Sequence, residues 1–230
     1  MKTKIGGAFR LRPFYLWGLA YQKRRQFFVN IYQTEDKRMK EPILYRVLKG
    51  PLSVCFKAIY KPTVSGKENI PENGRIILAG NHTNFFDCIL VAGATKRCVH
   101  YLAKDELVKG PLGFIFKHLG IIPVNRRAKD PAARLAANRT LLEEKVIGIF
   151  PEGTITRTDD IIMPFKFGAV KMAQETDTKI VPFAITGKYK PFKKSVKLTF
   201  FKPIEGGESL EQANEKLMKI ISDKITEERK

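Results

Sequence analysis

His82 and Asp87, separated by four residues in Asn81-His82-Thr83-Asn84-Phe85-Phe86-Asp87, have the types and spacing of a base and the acid that orients it. His82 lies just past the run 75–80, after Asn81, and loops at the carboxyl ends of strands commonly hold ligands. If a helix starts near Thr83 or Asn84, Asp87 lies about one turn in, and its carboxylate can return toward the imidazole. A carboxylate on one ring nitrogen fixes the tautomer and makes the other nitrogen a better base. That nitrogen can take a proton from a hydroxyl as the hydroxyl attacks a carbonyl. This is the base half of a Ser-His-Asp arrangement, with a substrate hydroxyl in place of the serine. Taken alone, the segment fits equally a histidine at a helix start with an exposed Asp in the first turn.

A second segment, Phe150-Pro151-Glu152-Gly153-Thr154, follows the most apolar run, 146–150. Gly153 permits close backbone approach, Thr154 adds a hydroxyl, and exposed N–H groups in such a turn can bind an anion. An ordinary strand-to-loop turn has the same composition. A third run, Gly120-Ile121-Ile122-Pro123-Val124-Asn125-Arg126, ends on a cation. Arg126, Arg127, Arg157, Lys104 and Lys166 all fall near expected strand ends. Guanidinium groups there suit bidentate phosphate binding, although each one alone fits a solvated surface charge. Cys55, Cys88 and Cys98 lack metal-ligand spacing. They read as small buried hydrophobes in a reducing compartment, Cys88 as a core residue rather than a nucleophile. No metal site is expected.

These segments need a scaffold. Between residues 43 and 60 the apolar Leu44, Val47, Leu48, Leu52, Cys55 and Ile59 recur at three or four, with Arg46, Lys49 and Lys57 between them. That is an amphipathic helix kinked at Gly50-Pro51, packed on a core, lying on a surface, or both. After the turn signal Pro71-Glu72-Asn73-Gly74, strands at 75–80, 99–103, 121–125, 146–150, 180–185 and 196–201 alternate with helices at 113–119, 130–144 and 165–175. Asp130-Pro131 opens the second of these as N-cap and first-turn proline. Ser209 and Gln212 form a capping box for a final helix carrying Leu210, Leu217, Ile220, Ile221 and Ile225. The alternation predicts an α/β fold, a single mixed and largely buried sheet flanked by helices, with a basic amphipathic helical segment at the N-terminus.

Charge divides the chain. The 230 residues carry 42 Lys and Arg against 23 Asp and Glu, a net +19. Residues 1–63 hold fourteen of the cations and three of the acids, together with Phe14, Tyr15, Trp17, Phe27, Phe28 and Tyr32. Cations mixed with aromatic rings suit an anionic lipid interface. The expected division is therefore a membrane-associating segment over 1–63 and a catalytic α/β domain over 64–230. No run of about 20 apolar residues is present, and no signal peptide is evident. The expected location is peripheral, on the cytoplasmic face of the cell membrane. A competing class is a non-enzymatic basic protein that binds membrane or nucleic acid. No helix-turn-helix, zinc-finger or RNA-binding signature supports nucleic acid, which is not expected as a partner.

Taken together, the segments resemble the glycerolipid acyltransferases, the family of 1-acyl-sn-glycerol-3-phosphate acyltransferase. His82 to Asp87 looks like the family's His-x4-Asp block, Gly120 to Arg126 its second block, Phe150 to Thr154 its Pro-Glu-Gly-Thr block, and Val181-Pro182-Phe183 its apolar-Pro-apolar block. The order is the family's, and the similarity covers roughly residues 43–201. The resemblance implies transfer of a fatty acyl group from a thioester of coenzyme A or acyl carrier protein to the hydroxyl of lysophosphatidic acid. It implies no cofactor beyond that co-substrate. Carried over, His82 is the general base and Asp87 its orienter, while Glu152, Gly153, Thr154 and Arg126 bind the glycerol phosphate. The family usually has Arg after the Gly-Thr pair, where this chain has Ile155. Arg157, two residues on, can supply the charge, and Lys104 is a further candidate for binding substrate. Another lysophospholipid or an amine lipid stays open as acceptor. The implied partners are lysophosphatidic acid, the acyl thioester with its carrier protein, and an anionic membrane surface.

Overall fold

After residue 62, apolar runs alternate with helical stretches, and each run becomes a strand of one sheet. In chain order the elements are α1 (Ile43–Tyr60), β1 (Thr63–Ser65), one 3₁₀ turn (Lys67–Asn69), β2 (Ile76–Gly80), α2 (Asp87–Ala94), β3 (Val99–Lys104), α3 (Asp105–Lys109), α4 (Gly113–His118), β4 (Ile122–Val124), α5 (Pro131–Leu142), β5 (Val146–Ile149), α6 (Gly168–Thr176), β6 (Lys179–Gly187), β7 (Val196–Phe200) and α7 (Leu210–Arg229). The structure, a computed structural model, describes residues 42–111, 113–125, 130–156, 161–206 and 209–230. All lie in the second of two compact units, Met1–Lys37 and Arg38–Lys230. The expected helical N-terminal segment before residue 42 lies outside the described residues.

The seven strands form one mixed sheet in the order β1-β7-β6-β2-β5-β3-β4. Only β6 and β7 pair antiparallel; β2 pairs parallel with both β5 and β6. Successive side chains of a strand point to opposite faces. Ile76 and Leu78 enter the core that carries Phe56, Leu90 and Val91 of α1 and α2. Ile77 and Ala79 enter the core of α5, α6 and α7, with Leu141, Val170 and Leu217. A strand covered on both faces must be apolar throughout, and β2 is buried at all five positions. It ends in Gly80 because a Cβ there would stand 2.3 Å from the Phe183 ring.

Several elements differ from the sequence expectation. The helix expected over 165–175 begins at Gly168. Phe165 instead fills the core, and the Lys166 N–H goes to Pro151 O at 2.9 Å, outside any helical ladder. The short β1, the 3₁₀ turn and α3 carry too few residues to show a period. Ser209 Oγ caps α7 by accepting from Gln212 N at 3.1 Å, as expected.

The helix over 43–60 forms, with Pro51 inside it, but its apolar stripe faces outward. Tyr45 and Phe56 are its buried residues, while Val47, Leu48, Leu52, Cys55 and Ile59 are exposed. Rings bury more area than aliphatic side chains, and a buried Tyr hydroxyl needs a partner. Tyr45 OH finds one, accepting from Val99 N at 3.1 Å. The aromatic seam thus decides which side packs. For the same reason Cys55 is not the buried hydrophobe expected, whereas Cys98 is buried. Among the described residues, no helix is long and apolar enough to cross a membrane.

Candidate active site

The loop leaving β2 is held before it reaches His82. Asn81 copies a strand pairing with its side chain, donating to Ile185 O at 2.8 Å and accepting from Ile185 N at 2.7 Å. His82 follows, and its ring stacks on Phe150, with centroids 4.0 Å apart and planes 14° apart. Phe150 immediately follows β5, which runs parallel beside β2 with Ala79 opposite Ile149. The two loops therefore leave the sheet at one edge, one strand apart.

His82 Nδ1 is 2.9 Å from Asp87 Oδ2. The expected helix start at Thr83 or Asn84 is incorrect: α2 begins at Asp87 itself. The physical reason is the carboxylate, which takes the amides of Thr83 at 2.6 Å and Asn84 at 2.8 Å on Oδ2. Asn84 Oδ1 takes the Phe86 amide at 3.1 Å. On Oδ1, Asp87 accepts from the Thr83 hydroxyl at 3.2 Å and the Tyr189 hydroxyl at 2.6 Å. Asp87 is 0% exposed, so the reading of an exposed first-turn Asp is excluded. An ionised carboxylate only accepts. His82 Nδ1 therefore carries the proton, and Nε2 presents its lone pair. The His82 side chain is 14% exposed.

The loop after β5 is stitched to His82 from both directions. Glu152 Oε1 accepts the His82 amide at 2.7 Å, and Thr156 N donates to His82 O at 2.8 Å. Glu152 Oε2 accepts from Met163 N at 3.1 Å and from the Thr156 hydroxyl. Its carboxylate is buried, the residue being 3% exposed. Gly153 has φ +76°, and a Cβ there would meet Lys166 Nζ at 2.7 Å. The Lys166 ammonium thus lies directly over the Gly153 backbone, beside the exposed Thr154.

His82, Asp87, Glu152, Gly153 and Thr154 are thus brought together. Lys104 closes β3, exposed, at the same edge of the sheet but two strands from β2. Arg126 and Arg157 lie outside the described residues. A cavity of about 570 Å³ opens beside the site, lined by Asn81, Thr83, Asn84, Glu152, Thr156 and Tyr189 among others. Among the described residues no cluster of His, Cys, Asp or Glu is arranged to hold a metal ion. Sequence reasoning gave no role to Asn81 or Phe150 and missed Tyr189. Phe150 could have been found from its place at the end of β5. Tyr189 lies about a hundred residues from Asp87, and no local pattern joins them.

A family model described as Acyltransferase matches residues 61–186. The 1-acyl-sn-glycerol-3-phosphate acyltransferase of Bacillus subtilis is 32% identical over 146 residues, covering 63% of this chain and 72% of that protein. The protein of the same name from Borreliella burgdorferi is 37% identical over 128 residues, covering 54% of this chain and 51% of its own length. The crystal structure of the 1-acyl-sn-glycerophosphate acyltransferase PlsC from Thermotoga maritima superposes with a TM-score of 0.68 at 22% identity, over 94% of this chain and 93% of that one. That likeness is one of fold.

Proposed function

The chain belongs to the acyltransferase family, and from that premise we propose that it moves a fatty acyl group from acyl-CoA or acyl-ACP to the sn-2 hydroxyl of 1-acylglycerol-3-phosphate, giving phosphatidic acid. The observation that carries the reading is the 2.9 Å bond from His82 Nδ1 to a fully buried Asp87. His82 Nε2 takes the proton of the acceptor hydroxyl as its oxygen attacks the thioester carbonyl. The tetrahedral intermediate collapses, the C–S bond breaks, and the leaving thiolate takes the proton back from His82. A thioester has a good leaving group, so one positioned base supports direct transfer without an acyl-enzyme. Such base catalysis is worth ~10²–10⁴ in rate; positioning and oxyanion stabilisation supply the rest.

The acceptor's phosphate is assigned to the loop at Gly153 and Thr154. Glu152 fixes that loop against His82, and Lys166 stands over it. Arg126, Arg157 and Lys104 are proposed as further cations around the phosphate. Residues 1–63 are proposed as the membrane-associating segment and 64–230 as the catalytic domain, with the protein peripheral on the cytoplasmic face of the membrane. The outward apolar stripe of α1 supports this, because large exposed apolar patches mark interaction surfaces. Ile155, where the family usually has Arg, favours a second reading, in which the acceptor is another lysophospholipid or an amine lipid.

The test is acyl transfer by purified protein from a labelled thioester to a panel of lyso-lipids. Phosphatidic acid from lysophosphatidic acid is the expected product. Transfer only to another lysolipid would move the assignment to the second reading, and transfer to none would favour a non-enzymatic basic protein.

A further inference from the structure

The two oxygens of Asp87 have different partners. Oδ2 takes His82 Nδ1, while Oδ1 takes the hydroxyl of Tyr189 at 2.6 Å. The Thr83 hydroxyl also reaches Oδ1, but it belongs to the same loop as Asp87. Tyr189 comes from the loop after β6, the strand that pairs with β2 on the side away from β5.

That loop is fastened to α1. The Tyr189 ring meets Tyr60 edge-on at 5.6 Å and 89°, Phe56 at 6.1 Å and 66°, and Phe86 at 5.8 Å and 62°. Phe192 N donates to Ile59 O at 2.5 Å, tying the same loop to the last turn of α1. Edge-to-face ring pairs at these separations favour one arrangement over a sliding contact. Burial and then the adjacent Asp87 charge hold the phenol well above the ordinary tyrosine range. Its hydroxyl therefore keeps its proton and stays a donor. The other titratable groups facing the pair are Tyr101, whose hydroxyl donates to Cys88 O at 2.9 Å, Cys88 itself, Tyr60, and Glu152 on the His82 amide.

We propose that Tyr189 is a positioning residue for acyl transfer. Its hydroxyl locks the Asp87 carboxylate that orients His82, and the rings of α1 hold the hydroxyl in place. This rests on the reading of His82 as the general base. A donor on Oδ1 fixes the rotation of the carboxylate and shares its charge. Without that donor the carboxylate is freer to turn, and its charge falls more heavily on the bond to His82.

Tyr189→Phe keeps the ring and removes only the hydroxyl. The expected result is a fall in kcat of about tenfold, the size of one charge-assisted hydrogen bond. Both Michaelis constants should stay the same. The low-field proton resonance of His82 Nδ1–H, identified by its loss in His82→Ala, should move downfield; this readout needs no turnover. Tyr189→Leu, which also breaks the ring cluster, should lower the melting temperature as well. Wild-type kcat and proton resonance in Tyr189→Phe would overturn the proposal, leaving Tyr189 as packing alone. If instead a folded His82→Ala protein keeps turnover, the base reading fails; the proton resonance in Tyr189→Phe still decides whether the hydroxyl acts on the pair.

Discussion

Glu152 accepts the backbone N–H of His82 at 2.7 Å, so the loop that leaves one strand is held by the loop that leaves its neighbour. The acid of the Pro-Glu-Gly-Thr turn thus shapes the site before any substrate arrives. Its second oxygen takes the Met163 amide, which also closes the far side of the loop.

Glu152→Ala would leave the amides of His82 and Met163 without an acceptor inside a buried site. An orphaned donor costs about 1–3 kcal/mol. The expected loss is roughly 2–5 kcal/mol of unfolding free energy, with turnover reduced by misplacement of His82. Glu152→Gln keeps one carbonyl acceptor and should fall between. Urea denaturation beside steady-state turnover measures both. A Glu152→Ala protein as stable as wild type would mean that the loop holds without this residue.

His82→Ala and Asp87→Asn should separate chemistry from folding. His82 uses its side chain on Asp87 and on the Phe150 ring, and its loss should lower turnover by ~10²–10⁴ while the protein stays folded. Both oxygens of Asp87 face only donors: His82, Thr83 and Asn84 on one side, Thr83 and Tyr189 on the other. An Asn amide must turn its own N–H groups toward one of these sets. Asp87→Asn should therefore cost more stability than His82→Ala as well as most of the activity. Thermal melts with paired turnover assays check the order. A folded His82→Ala protein with near-normal turnover would remove His82 from the mechanism.

Gly153→Ala tests the acceptor loop. The position has φ +76°, which strains any side chain, and the new Cβ would push Lys166 Nζ away from 2.7 Å. Lys166→Met removes the ammonium without the backbone strain. Both should raise the Michaelis constant for the phosphorylated acceptor and leave that for the acyl donor nearly unchanged. Initial rates with each substrate varied in turn decide the matter. A change confined to the donor's constant would put the phosphate elsewhere.

The centre of the sheet was legible because its strands are covered on both faces. Runs such as 76–80 and 146–149 are apolar at every position, and only a strand buried on both sides explains that at such a length. The pair of His82 and Asp87 was legible from spacing, but the helix start between them was not. Asp87 draws the amides of Thr83 and Asn84 to itself, and so postpones the helix it was expected to sit within. Tyr189 was out of reach, because the order β7-β6-β2 brings its loop beside Asp87 only after the sheet has formed. On α1 the period marked the helix but did not say which face packs. Aliphatic spacing marked one side, while Tyr45 and Phe56 set the buried one.

That outward face bears on how the protein meets a lipid acceptor. Ile43, Val47 and Val54 fall at spacings of four and seven, which puts them along one side of α1. They are 78%, 61% and 67% exposed. Exposed aliphatic residues contribute little to folding, so Val47→Glu with Val54→Glu should leave the melting temperature nearly unchanged. On a bilayer the same change puts two charges where apolar contact is needed, and it should weaken binding to neutral and anionic vesicles alike. Lys23, Arg24 and Arg25 act differently. Each cation near an anionic surface contributes about 1 kcal/mol, screened by salt. Reversing the three to Glu should weaken binding to anionic vesicles, most at low salt, with little effect on neutral ones. Neither set should alter turnover on detergent-dispersed acceptor, where no bilayer has to be reached. Co-sedimentation with phosphatidylcholine vesicles, with and without phosphatidylglycerol, across a salt series separates the two contributions. Binding that ignores both sets of changes would mean that neither the N-terminal charge nor the α1 face seats the protein on lipid.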